Sequence, residues 1–66
     1  MAYTLPVKVG DEIEVEVINI GEEGDGIARH ENFVIIVEEG QLEKRYIVKV
    51  RRVFPKFAKA EIVQEV

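Results

Sequence analysis

The sequence predicts an all-β domain, a small barrel of five short strands that is closed or nearly closed on itself. Apolar and polar residues alternate with period two along most of the chain, as half-buried strands require. Glycine, proline and asparagine punctuate that alternation roughly every ten residues, the spacing found in small sandwiches and barrels. No segment carries a convincing helical periodicity. Closure would also remove the exposed strand edges that a chain so rich in valine and isoleucine otherwise presents.

The first strand is expected over residues 11–20. Ile13, Val15 and Val17 fall on one face and Glu12, Glu14 and Glu16 on the other, giving a dry side and an anionic wet side. Its β-branched residues disfavour a helix. Residues 21–26, Gly-Glu-Glu-Gly-Asp-Gly, place three glycines in six positions, which signals a turn with positive φ angles. A short strand over residues 27–30 follows, and Glu31-Asn32 reads as a tight turn because asparagine tolerates the left-handed region.

Residues 33–37, Phe-Val-Ile-Ile-Val, are apolar on both faces. They read as a central strand covered on both sides, or as one whose second face is a binding platform. After a loop over residues 38–43, the fourth strand, residues 45–54, turns Tyr46, Val48 and Val50 inward and Lys49 and Arg51 outward. Tyr46 and Phe54 are assigned to the core, the tyrosine hydroxyl reaching the surface. The alternation breaks at Arg51-Arg52-Val53, which predicts a bulge. Pro55-Lys56 makes a turn. In the last strand, residues 57–63, Ala58, Ala60 and Ile62 point inward and Phe57, Lys59 and Glu61 outward. The expected organisation is an N-terminal arm (residues 1–6), a barrel (residues 7–63) and a frayed tail (residues 64–66).

Sixty-six residues fit one domain, and a chain of this size buries only about 60% of the surface its unfolded form exposes. There is no cysteine and one histidine, His30, so disulfides, zinc sites and thiol catalysis are excluded as sources of stability or chemistry. No apolar run resembles a signal peptide or a membrane span, and the expected location is the cytoplasm. The formal charge of −4 hides an asymmetry. Residues 1–43 carry two basic side chains against eleven acidic ones, a net of −9, and residues 44–66 a net of +5. An acidic protein can thus present a local cationic patch, although such charges also serve simply to keep a small barrel in solution.

Three segments in order, Val7-Lys8-Val9-Gly10-Asp11, then Gly21-Glu22-Glu23-Gly24-Asp25-Gly26-Ile27-Ala28, then Phe33-Val34-Ile35-Ile36-Val37, resemble the TRAM domain family. The run Phe57-Ala58-Lys59-Ala60-Glu61 matches the aromatic-Ala-x-Ala-Glu close of that pattern. At Glu38-Glu39-Gly40 the chain departs from the Pro-Gly or Pro-x-Ala turn common in the family. The resemblance covers about residues 7–63 and implies a five-stranded, OB-like barrel that binds RNA. It implies in particular similarity to the free-standing archaeal members that behave as cold-shock-like RNA chaperones. The expected partner is then single-stranded or tRNA-like RNA, bound by a monomer without cofactor, metal, ATP, small-molecule substrate or membrane.

Binding single strands calls for cations along the backbone path and flat aromatic faces for bases. The cationic candidates are Arg29, Lys49, Arg51, Arg52, Lys56 and Lys59, which alternatively form a solvated face paired with Glu12, Glu14 or Glu16. Phe33 and Phe57 are the stacking candidates. Phe33 could equally cap the barrel, whereas Phe57 stands outward beside Lys56. The turn at Gly24, Asp25 and Gly26 could offer backbone N–H groups to a phosphate or base edge, or serve only as a barrel turn. Glu22, Glu23 and Asp25 lack the ligand spacing of a calcium loop. His30 has no nucleophile to serve, so no catalytic residue is assigned. The alternative function is a protein-interaction module whose acidic face (Glu12, Glu14, Glu16) docks a basic partner such as a ribosomal or RNA-modifying protein.

Overall fold

The computed structural model of the chain describes residues 5–66. Five strands, β1 (Glu12–Ile20), β2 (Gly26–His30), β3 (Phe33–Val37), β4 (Arg45–Val53) and β5 (Phe57–Glu65), close into one barrel in the order β1-β2-β3-β5-β4. All neighbours are antiparallel except β3 and β5, which run parallel. Residues 1–4, the larger part of the expected arm, lie outside the described residues. Leu5 packs against the core and Val7 is buried within it.

The period-two reading sets the core. Val15 and Val17 from β1, Ala28 from β2, Phe33, Ile35 and Val37 from β3, Tyr46, Val48 and Val50 from β4, and Ala58 and Ala60 from β5 are all buried. Ile13 and Ile62 pack at its margin. The two alanines matter to the shape. They stand beside Ile35 and Val37 of the neighbouring strand β3, so small side chains on β5 leave the interior volume to the larger ones. Tyr46 is 4% exposed, and its hydroxyl accepts a hydrogen bond from the Gln41 N–H at 3.1 Å, which ties the β3–β4 loop to the core.

One turn follows expectation and one departs from it. Glu31 and Asn32 both have positive φ, 51° and 66°, in the two-residue loop between paired His30 and Phe33. That is the type I′ geometry whose twist suits a hairpin. Of the three glycines in residues 21–26, only Gly24 has a positive φ. Gly26 is there for space, because a Cβ would stand 3.0 Å from both methyl groups of Val17 and 3.2 Å from the Gly40 backbone.

The bulge expected near Arg52 is present: Val50 faces Ala60 and Arg52 faces Lys59, so Arg51 is the extra residue. A second irregularity lies between Val17 and Asn19, and a third between Ile47 and Val48. The last strand also runs further than residue 63. Tyr46 pairs with Glu65, and the Val66 N–H donates to the Arg45 carbonyl at 3.0 Å, so the residues assigned to a frayed tail extend the β4–β5 ribbon.

Candidate nucleic-acid interface

The outward positions of β2, β3 and β5 line up in two rows across the barrel wall. Arg29, Val34 and Phe57 form one, and Ile27, Ile36 and Lys59 the other, with Arg52 of β4 continuing the second row beside Lys59. Neighbouring strands lie about 4.8 Å apart, so each row of three spans roughly 10 Å, the length of a base with its sugar. Val34 and Ile36 are half-buried, which settles the double-sided β3 strand: one face is core and the other is an apolar strip open to solvent.

At one end of this strip the β4–β5 hairpin carries a stack. Phe54 and Phe57 flank Pro55-Lys56, and the Phe54 N–H donates to the Phe57 carbonyl at 2.7 Å. Their rings stack at 4.6 Å between centroids with 20° between planes. The Arg52 guanidinium lies over the Phe54 ring at 5.7 Å from its centroid. Phe54, expected in the core, is therefore half-buried on the outer face. The sequence held the signal: residues that flank a two-residue turn are cross-strand neighbours, so two aromatics there share one face.

Phe33 goes the other way. At 8% exposure it faces inward with Ile35 and Val37, since the alternation of β3 puts its odd-numbered residues in the core. It offers no face to a base, and the expectation of stacking there is corrected.

The six cationic candidates divide into two groups. Arg51 pairs with Glu61 at 3.0 Å, and Lys49 stands in register between Glu12 of β1 and Glu61 of β5. Arg45 reaches Glu14 at 3.1 Å and Glu16 at 3.6 Å, and Lys44 meets Glu65 at 3.1 Å. These pairs are about half exposed and each contributes about 0–1 kcal/mol, but together they balance the charge on the outer side of β1, β4 and β5. Arg29, Arg52, Lys56 and Lys59, like Lys49, form no ion pair among the described residues, but Lys49 alone of these five has glutamates in register on both sides. Apart from Lys49, the candidate cations without an ion pair all belong to the apolar strip or to the hairpin that bounds it.

The Gly24-Asp25-Gly26 turn is largely engaged with itself. The Gly24 N–H donates to the Gly21 carbonyl at 3.0 Å and the Gly21 N–H to the Asp25 carbonyl at 2.9 Å. Asp25 Oδ1 accepts from the Glu39 N–H at 3.3 Å, which joins the turn to the β3–β4 loop. Together with Ile27, Ile36 and Lys59, residues of this turn line a shallow groove of about 290 Å³. No group of three or more His, Asp or Glu side chains among the described residues is placed to hold a metal ion. No helix there is long and apolar enough to cross a membrane.

The fold and this face meet a known family. The TRAM domain model matches residues 6–63, and the chain belongs to the TRAM domain family, whose members generally bind RNA. It is 46% identical over 57 residues to an uncharacterized protein of Methanocaldococcus jannaschii, covering 86% of this chain and 74% of that one. It is 43% identical over 61 residues to ribosomal RNA large subunit methyltransferase E of Haloarcula marismortui, covering 92% of this chain. The alignment spans 23% of that enzyme, so the similarity is to its TRAM region alone. The solution structure of a conserved protein of Methanococcus maripaludis superposes with a TM-score of 0.86 at 43% identity, covering 91% of this chain and 86% of that one.

Proposed function

We propose that this domain binds unpaired RNA on the β2–β3–β5 face and acts there as an RNA chaperone in the cytoplasm, without ATP. One observation carries the reading: Arg29, Arg52, Lys56 and Lys59, which make no ion pair among the described residues, surround an apolar strip that ends in a half-buried aromatic stack. Bases would stack on Phe57 and over Val34 and Ile36, while Arg29, Arg52, Lys56 and Lys59 hold phosphates. A base stacked on an aromatic contributes about 1–3 kcal/mol, and one such contact on Phe57, with aliphatic contacts to Val34 and Ile36 and a few phosphates, corresponds to a dissociation constant on the order of micromolar or weaker. Weak, fast binding to unpaired strands then opens RNA secondary structure by mass action. The similarity to enzymes named for modifying ribosomal RNA adds structured RNA, ribosomal or tRNA-like, as the source of those strands.

Docking of a basic protein on the acidic strand β1 is the weaker reading. Arg45 pairs with both Glu14 and Glu16 and Lys49 lies opposite Glu12, which offsets much of the charge a basic partner would need. Fluorescence anisotropy with a labelled, unstructured RNA of about a dozen nucleotides separates the two. Arg52→Glu with Lys59→Glu is expected to abolish binding, and Glu14→Lys with Glu16→Lys to leave it intact or tighter. Loss of binding in the second pair alone would overturn the assignment of the face.

A further inference from the structure

The groove between the 21–25 turn and Lys59 has a composition that general phosphate binding does not call for. Its floor is aliphatic, Ile27 and Ile36, and continuous with the apolar strip. Lys59 of β5 lines it, and so do Glu22 and Glu23 of the 21–25 turn. Neither glutamate takes part in an ion pair or side-chain hydrogen bond among the described residues, while Asp25 is engaged with the Glu39 N–H. Both stand in a turn held in place by its own backbone bonds and by Asp25.

A carboxylate accepts hydrogen bonds and donates none, so it selects for base edges by their donors. Guanine is the one common RNA base whose Watson–Crick edge presents two adjacent donors, N1–H and the 2-amino group. Uracil places its single N–H between two carbonyl oxygens, which a carboxylate repels. Adenine and cytosine pair one amino group with a ring-nitrogen acceptor. Single-stranded RNA is read in this way, with a base laid on an apolar surface and its Watson–Crick edge hydrogen-bonded.

We infer that this groove is a guanine-selective seat: the purine lies over Ile27 and Ile36, Glu22 or Glu23 accepts from N1–H and the 2-amino group, and Lys59 holds a neighbouring phosphate. The inference rests on the RNA-binding reading above and adds a sequence preference to it.

The test compares three labelled eleven-nucleotide RNAs by anisotropy: all uridine, uridine with one central guanosine, and uridine with inosine at that position. The guanosine oligomer is expected to bind on the order of tenfold tighter than all-uridine RNA, the scale of one bidentate base contact. Inosine, which lacks the 2-amino group, should fall between. In the Glu22→Gln, Glu23→Gln double variant the guanosine-to-uridine ratio is expected to drop towards one, while binding of all-uridine RNA strengthens as two anionic charges leave. Equal wild-type affinity for the uridine and guanosine oligomers overturns the guanine seat and leaves the RNA face standing. Absence of binding to any of the three overturns both.

Discussion

Phe33 and Phe57 both begin strands, and both were expected to stack on bases, but β3 turns the first into the core and β5 turns the second outward. Phe33→Ala should destabilise the barrel by about 3–5 kcal/mol, the usual cost of removing a buried phenylalanine. In a domain of this size that lowers the melting temperature by well over 10 °C. Phe57→Ala should change stability far less and weaken RNA binding by about 1–3 kcal/mol, the loss of one stacked base. Chemical denaturation and anisotropy on both variants check this, and a binding loss in folded Phe33→Ala equal to that of Phe57→Ala would contradict it. Sequence alone did not separate the two rings, because the family resemblance favours an aromatic at 33 and says nothing of the face it occupies.

At the scale of elements, strand positions were legible and loop details were not. The alternation of Ile13, Val15 and Val17, of Tyr46, Val48 and Val50, and of Ala58 and Ala60 gave both strand and facing, since a period of two admits one register against a buried core. The irregularities at Val17–Asn19 and Ile47–Val48 left no such trace, because the residues there are β-branched or polar on either reading. The β2–β3 turn is a strained choice. Glu31 holds a φ of 51°, a region costly for a residue with a long side chain and suited to asparagine or glycine. Replacing Glu31-Asn32 by Asn-Gly, the favoured pair for this turn, should therefore stabilise the domain by about 1 kcal/mol. A rise in melting temperature of about 4–8 °C is expected, and a fall would show that Glu31 contributes more than it strains. Gly26 gives the opposite outcome: Gly26→Ala meets Val17 and the Gly40 backbone and should cost about 1–3 kcal/mol by overpacking.

For the whole molecule, the sum of charges misleads and their pairing decides. The net of −4 belongs to a barrel whose β1, β4 and β5 outer side is internally balanced, leaving Arg29, Arg52, Lys56 and Lys59 beside an apolar strip. The sequence showed the asymmetry between its two parts. It could not show that Lys49 and Arg51 stand by glutamates while Arg29, from the acidic part, joins the cationic face, because that depends on which strands become neighbours on closure. If four cations contact phosphates, the logarithm of the binding constant should fall with the logarithm of salt at a slope of about −2.8, from roughly −0.7 per contact. Lys59→Gln should make that slope shallower by about 0.7, whereas Lys49→Gln should leave it nearly unchanged.

The position of the RNA on this barrel is read most directly from backbone amide chemical shifts, recorded as an oligouridine of about eight nucleotides is added, a length within the range one OB-like fold accommodates. Perturbations should gather at Arg29, Val34, Ile36, Arg52, Phe54, Phe57 and Lys59, with Glu12, Glu14 and Glu16 unmoved. Shifts concentrated on β1, with that strip silent, would contradict the proposed face.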